Sequence, residues 1–136
     1  MLDLTKKRDA HIDQRLRSDT MIWLNTVRSD GRPHSVAVWF LWTGEVFLIF
    51  SKPEQQKIRN IRKNAQVTLA LDDTKGGDDV IVVEGTAELL NDPNMSVVVP
   101  AYVAKYGNDI KELGLTPESM AVEYSQGISI TPTKFI

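Results

Sequence analysis

The chain has 136 residues, 42% of them apolar and 25% charged, with a net charge of -2, values that fit one globular domain with a real core rather than two. So even a charge balance excludes a surface built mainly for nucleic acid or an anionic membrane. The absence of cysteine excludes disulfides, a thiolate nucleophile and a thiolate metal site. A cytoplasmic setting is expected, because the opening residues MLDLTKKRDAHIDQRLRSD are charged throughout and lack the apolar stretch of a signal peptide. No run approaches the ~20 apolar residues of a membrane span.

In chain order, residues 5–18 place Ile12 and Leu16 one turn apart with Thr5 available as a cap, which predicts a cover helix. Residues 20–28 (TMIWLNTVR) are rich in branched and aromatic types and end at Ser29-Asp30-Gly31-Arg32, a hairpin signal. A second strand follows from about His34 to Trp42. Val36, Val38, Phe40 and Trp42 share one of its faces, and Ser35, Ala37, Trp39 and Leu41 the other. Both faces are largely apolar, so the strand must be covered twice, by the barrel core on one side and by a ligand or partner subunit on the other.

Glu45 to Ser51 and Gln66 to Leu71 read as the third and fourth strands. Asp72 to Asp79 (DDTKGGDD) is a polar connection that lacks the phosphate-loop pattern. Val80 to Leu90 forms a long fifth strand in which Gly85 marks a bulge or a close backbone approach. Asn91-Asp92-Pro93 opens a helical region to about Tyr106, kinked at Pro100 and ended by Gly107. A weaker helical piece covers Asp109 to Leu113. Thr116 caps a third helix with Pro117 at its first position, and Ala121 to Ile130 returns as the last strand. These elements predict a mainly β fold, a six-stranded antiparallel barrel with short covering helices.

The stretch from Val36 to Asn64 holds the candidate site. Two apolar strands lead through a polar break at Ser51-Lys52-Pro53 into a short helix carrying Lys57, Arg59, Arg62 and Lys63. At 3.6 residues per turn, Ile58 and Ile61 define a buried stripe, with Lys57 and Arg62 about 70° to either side of its centre. Arg59 and Lys63 point the opposite way, while Asn60 and Asn64 add amide donors near the Lys57 edge. Apolar walls that run directly into positive charge suit a ligand with a flat ring at one end and a phosphate at the other. The two histidines, His11 and His34, do not form a metal-ligand spacing, and no metal is expected. There is no Gly-x-Ser-x-Gly motif and no carboxylate pair on one strand face, so no catalytic side chain is assigned. An enzyme built from these residues needs a bound cofactor to carry the reaction. Trp39 and Trp42 lie on opposite strand faces, which leaves one of them free to line a cofactor or dimer surface.

Several segments, in order, carry a family resemblance: Arg15-Leu16-Arg17-Ser18-Asp19-Thr20, Thr26-Val27-Arg28-Ser29-Asp30-Gly31-Arg32-Pro33, Val38-Trp39-Phe40, Ser51-Lys52-Pro53, Lys57-Ile58-Arg59-Asn60-Ile61-Arg62, Val83-Glu84-Gly85-Thr86-Ala87, Tyr102-Val103-Ala104-Lys105-Tyr106 and Ile130-Thr131-Pro132-Thr133-Lys134. Together they resemble the split-barrel flavin-binding proteins related to pyridoxamine 5'-phosphate oxidase, and especially their small deazaflavin-dependent (coenzyme F420) oxidoreductases. One departure is Ala37, where many relatives have proline, which alters the backbone edge facing the ring. The resemblance implies a six-stranded split β-barrel and a homodimer with two equivalent clefts at the subunit interface. It also implies a deazaflavin coenzyme F420, favoured, or FMN. The ring would lie against Val36, Ala37, Val38 and Trp39, the ribityl chain beside Phe50 and Ser51, and the phosphate by Lys57 and Arg62, with Asn60 nearby.

Two functions compete. One is an oxidoreductase that moves a hydride between the bound ring and a small conjugated substrate; the other is a protein of the same fold that binds or sequesters flavin, deazaflavin or haem without turnover. Oxidation of pyridoxamine phosphate itself is not expected, since no residues for the substrate phosphate are placed in the sequence.

Overall fold

The computed structural model describes residues 1–92 and 94–136. In chain order it comprises α1 (Lys7–Ser18), β1 (Ile22–Val27), β2 (Pro33–Val38), β3 (Leu41–Trp42), β4 (Phe47–Ser51), α2 (Gln56–Lys63), β5 (Gln66–Leu71), β6 (Ile81–Leu90), α3 (Pro100–Glu112), α4 (Pro117–Glu123) and β7 (Gln126–Phe135). The strands form one antiparallel sheet in the order β2-β1-β5-β6-β7-β4-β3. Its edge strands β2 and β3 are successive in the sequence, separated only by Trp39 and Phe40. Such short chain between the two edges requires the sheet to curl into a half-barrel, open along one seam. The expected second strand is therefore two strands, and the sheet has seven strands rather than six.

Alternation along this segment holds across the break. Phe40 and Trp42 enter the barrel core with Val36 and Val38 packed against it, while Trp39 and Leu41 join a second cluster outside the barrel. That second cluster is built by the chain itself, from Tyr102, Tyr106 and Ile110 of α3, Met120 of α4, and Leu48 and Phe50 of β4. The greasy outer positions Trp39 and Leu41 thus meet α3 instead of waiting for a partner, which corrects the expectation for that part of the face. All five residues of β4 are buried, since Phe47 and Ile49 face the barrel while Leu48 and Phe50 face the helices. Continuous apolar sequence is what a strand covered on both faces needs.

The seam is closed by one phenol. The Tyr106 hydroxyl accepts the Phe40 N–H at 2.9 Å and shares its own proton between the carbonyls of Thr20 (2.8 Å) and Phe40 (2.9 Å). Lys105 donates to the same Phe40 carbonyl at 2.8 Å, with its ammonium 3.8 Å above the centre of the Phe40 ring. Burial lowers the Lys105 pKa to about 8, against a smaller upward pull from Asp19. Backbone groups that leave a ladder need partners when buried, and α3 supplies them here. Trp39 stacks on the Tyr106 ring at 4.6 Å, 4° from parallel.

Other boundaries moved for physical reasons. Thr5 does not cap α1: its hydroxyl donates to Asp3 at 2.6 Å, and the cap position falls on Lys6. The helix opening expected around Pro93 lies in part outside the described residues. Pro100 starts α3 instead of kinking a helix, because its fixed φ and missing N–H suit a first turn. Gly107 does not end α3, which runs on to Glu112. A mid-helix glycine costs about 1 kcal/mol, and burial of Tyr102, Tyr106 and Ile110 on one stripe exceeds that. Gly114, at φ +76°, follows the end of the helix as the left-handed residue. The last strand begins at Gln126 and not at Ala121, since α4, with its reciprocal Thr116–Ser119 cap, occupies Pro117–Glu123.

Gly85 sits where the β6–β7 register shifts, between Glu84 and Gly85. A Cβ there would lie 2.9 Å from both Ile130 Cγ2 and the Thr131 carbonyl oxygen, so the expected bulge is also a close approach. Helix α1 is tied to the barrel by the buried Arg15, which donates to the carbonyls of Asp79 (2.5 Å) and Asp72 (2.7 Å) and to the Asp19 carboxylate (2.6 Å). Trp42 adds a bond from its indole N–H to Asp13 at 2.9 Å. No helix among the described residues is long and apolar enough to cross a membrane.

Removing the seam phenol isolates its effect. Tyr106→Phe should keep the ring stack on Trp39 but strand the Phe40 N–H and the Thr20 carbonyl, lowering unfolding free energy by about 2 kcal/mol. Urea melts of the two proteins measure this, and equal midpoints would show the seam to be held by packing alone.

Candidate functional site

Where the sheet parts at Trp39, the exposed edge of β2, the end of β4 and the start of α2 face helices α3 and α4 across a cleft of about 250 Å³. One wall is Ala37, Val38 and Trp39, continued by Phe50, Ser51, Gln55 and Lys57; the other is Tyr102, Leu113, Met120 and Tyr124, with Met21 beside them. Gln55 and Lys57 also line a second cleft of about 330 Å³ with His34, Val36, Glu54, Gln56 and Arg59. Lys57 thus stands between an aromatic, apolar space and a polar one.

The sequence of α2 explains how a lysine comes to be buried there. Ile58 and Ile61 anchor the helix in the barrel core, and Asn60, 1% exposed, donates to the Thr26 hydroxyl at 2.9 Å. This fixes the helix rotation, and Lys57 on the adjoining edge is left only 7% exposed. Its ammonium donates to the Gln55 side-chain carbonyl, and burial holds its pKa below the usual lysine value. No carboxylate pairs with it among the described residues.

His34 lines the second cleft, and Arg28, whose charge acts on it, lines a separate one with Val27, Ser29, Gly31, Lys63 and Asn64. His34 Nδ1 and Arg28 Nε are buried with no hydrogen-bond partner among the described residues. Burial first, then the positive charges of Arg28 and Lys57, hold the His34 pKa below its ordinary 6.5. Buried unpartnered polar groups cost on the order of 1–3 kcal/mol each, and the positive charge that Lys57 and Arg28 set around His34 is an arrangement that an anion would relieve.

Six of the nine sequence-derived positions line the first cleft: Ala37, Val38, Trp39, Phe50, Ser51 and Lys57. Val36 faces the second cleft, and its side chain packs on the barrel core. Asn60 and Arg62 line neither. Asn60 is committed to Thr26 and to Gln56, whose amide donates to it at 2.7 Å. Arg62 is half-exposed and its nearest carboxylate is that of Glu54, at 3.9 Å. Arg59, read from spacing as pointing away, borders the second cleft while bonding the Glu54 carbonyl and Gln56. The helical wall escaped sequence reasoning altogether, because Tyr102, Leu113, Met120 and Tyr124 reach the cleft only through the packing of α3 and α4 on β4. The one available signal was the Tyr102–Tyr106 spacing, a single helical turn, which puts two phenols on the same stripe.

Comparison with known proteins agrees with this architecture. A structure named F420 reductase is 27% identical, with a TM-score of 0.67 over 91% of this chain and 94% of that one. General Stress Protein 26 from Bacillus anthracis str. Sterne is 26% identical, with a TM-score of 0.70 over 93% and 95%. The haem storage protein HutZ from Vibrio cholerae, at 14% identity and a TM-score of 0.63 over 93% and 92%, shares the fold. No curated protein sequence matches the chain. The family profile described as pyridoxamine 5'-phosphate oxidase matches residues 9–136, and with that match over a half-barrel of this topology the chain belongs to the pyridoxamine 5'-phosphate oxidase family.

Proposed function

We propose that this protein is an oxidoreductase that holds a deazaflavin coenzyme F420, or FMN, with its ring in the first cleft and its phosphate at Lys57, and moves a hydride to or from a small conjugated substrate. The observation that carries this reading is the junction at Gln55 and Lys57, where an aromatic cleft opens into one lined by His34 and Arg59, with the buried Lys57 between them paired to no carboxylate among the described residues. Together the two clefts fall in the range of about 300–1,000 Å³ usual for small-molecule sites. The charge set fits a phosphate: Lys57 lacks a carboxylate partner, Arg59 and His34 stand on the same cleft, and the Arg28 and Lys57 charges both act on the His34 imidazole. The 27% identity to an F420 reductase supports the deazaflavin over FMN. When bound, the ring supplies the hydride chemistry, and the chain's side chains contribute binding, orientation and exclusion of water.

A homodimer belongs to the same proposal. The strand registers align Ala37, Trp23, Ala70 and Val82 in one row across the outer face of β2, β1, β5 and β6. Trp23 is 42% exposed, with Met21 at 45% and Val80 at 50%. Ala37 and Met21 also line the first cleft, so a second copy seated on this row would close the cleft's open side. An apolar patch of this kind is uncommon on a monomer. Light scattering at micromolar concentration should give a dimer mass, and Trp23→Asp should give monomers with weakened cofactor binding. A wild-type monomer would remove the interfacial cleft.

Lys57→Ala should weaken cofactor binding about ten- to a hundredfold, the loss expected when a charge-assisted phosphate contact is removed. Arg62→Ala, outside both clefts, should change it less than about threefold. Calorimetry that found equal losses would move the phosphate elsewhere.

His34 offers a test by titration. Desolvation and the Arg28 and Lys57 charges depress its pKa, so the unfolded chain binds the proton more readily and this residue's contribution to stability is lost as the pH falls below 6.5. An anion beside it reverses the balance. Followed by NMR, the imidazole midpoint should rise when cofactor or inorganic phosphate is added; an unmoved midpoint would exclude an anion from the second cleft. Turnover is tested separately, by anaerobic reduction of enones and quinones with reduced cofactor. Tight cofactor binding without acceptor reduction would identify a sequestering protein.

A further inference from the structure

We infer that the Gln55 side chain is a self-inhibiting placeholder: its amide oxygen occupies the Lys57 ammonium in the empty protein, and an incoming phosphate takes that position when Gln55 swings away. This inference rests on the reading that puts the phosphate at Lys57. It adds what that reading leaves open, how a buried ammonium persists without its anion and how two clefts become one site.

The first observation is where Gln55 stands. Gln55 and Lys57 are the two residues common to both clefts, so their contact is the partition between them. The Gln55 oxygen accepts from the Lys57 ammonium, with the Ser51 hydroxyl at 3.4 Å. An ammonium can only donate, so the amide presents its oxygen and not its nitrogen. Ser51 directs its own proton to the nearer Lys52 carbonyl, at 2.8 Å, which leaves Lys57 as the contact that holds Gln55 in place. A carbonyl oxygen is the closest substitute for a phosphate oxygen that a neutral side chain can offer.

The second observation is the asymmetry of the pair. Lys57 is 7% exposed and follows the rotation of a helix anchored by Ile58 and Ile61, so it cannot leave. Gln55 is exposed and precedes α2 at the cap position, yet its side chain makes no cap bond. Its amide nitrogen donates to nothing among the described residues. When the contact breaks, Gln55 is the partner that moves, and it regains rotamer freedom and meets water in doing so.

The third is the chemistry of the exchange. A neutral amide satisfies the donor without cancelling its charge, and burial still holds the Lys57 pKa below the usual lysine value. An anion in the same place adds an attraction that the amide lacks. Phosphate therefore displaces Gln55, whereas a ring without phosphate enters the first cleft and leaves the partition closed. The fraction of time that Gln55 spends docked lowers the apparent affinity for any phosphate ligand by the same fraction.

The test uses two variants of the same length as glutamine, Gln55→Met, which has no oxygen, and Gln55→Glu, which places a carboxylate on Lys57. Calorimetry measures inorganic phosphate and the tighter of coenzyme F420 and FMN, each cofactor being compared with its ring and ribityl chain lacking phosphate. Gln55→Met should bind phosphate and cofactor about three- to thirtyfold more tightly than wild type and change the phosphate-free compound less than about twofold. Gln55→Glu should weaken cofactor binding at least about tenfold, because a charged partner is harder to displace. Empty Gln55→Met should melt below empty wild type, with its ammonium unpaired, and the gap should close at saturating cofactor. If wild type prefers the cofactor to its phosphate-free compound but Gln55→Met binds the cofactor equally or more weakly, Gln55 is a fixed part of the wall and the placeholder is overturned while the phosphate reading stands. Equal gains for the cofactor and the phosphate-free compound would overturn it as well, since the gain would then come from the ring. If wild type binds both compounds alike, or neither, the phosphate is not at Lys57 and both readings fall.

Discussion

A single phenolic oxygen sets the geometry of this molecule. The two edge strands are linked by Trp39 and Phe40 alone, and the chain must leave the sheet at one edge and rejoin it at the other. Those residues cannot complete ladder bonds in doing so, and the Tyr106 hydroxyl takes up the Phe40 N–H and shares its proton with the Phe40 and Thr20 carbonyls. Because Tyr106 lies on α3, the same contact that seals the seam also fixes the helical wall at its distance from β4. The cleft is the gap left between them. Its existence follows from the seam, and its lining from the residues that happen to flank it.

The polar end of the site has a different origin. Lys57 is kept buried by α2, whose rotation is set by Ile58, Ile61 and the Asn60–Thr26 bond. Burying an ammonium with only a neutral amide for company is unfavourable, and the unpartnered atoms of His34 and Arg28 add to the cost. The barrel core offsets this locally, as the largest cluster of buried side chains lies directly beneath α2. Stability is thus spent at one place where charge can be used, which is common at sites that await an anion.

Much of this was legible in the sequence wherever the signal was local. The hairpin at Ser29–Arg32, the glycine at the β6 bulge, the Thr116–Pro117 helix start and the alternation from Val36 to Trp42 each depend on residues within a few positions of one another. Lys57 was legible for the same reason, since its side of the helix follows from Ile58 and Ile61. Longer-range packing was not legible. Gly107 stays inside α3 because distant side chains on β4 bury the tyrosine stripe, and Arg15 acquires its role only from carbonyls at Asp72 and Asp79. Asn60 and Arg62 carry the right chemistry for a phosphate, but tertiary partners decide that one faces Thr26 and the other solvent. The tyrosine wall of the cleft belongs to this second class.

The sheet order carries a consequence for how the chain is made. Strand β7 is inserted between β6 and β4, so until it is synthesised the sheet exists as two separate pieces, β2-β1-β5-β6 and β4-β3. Each piece presents a bare ladder edge that includes apolar residues such as Ile49, Val83 and Ala87. On the ribosome the nascent protein therefore carries two bare sheet edges, and neither is satisfied until β7 leaves the exit tunnel. A chain at this stage would accept the β7 of a more complete neighbour at its bare β4 or β6 edge, a route to strand exchange that the finished molecule conceals.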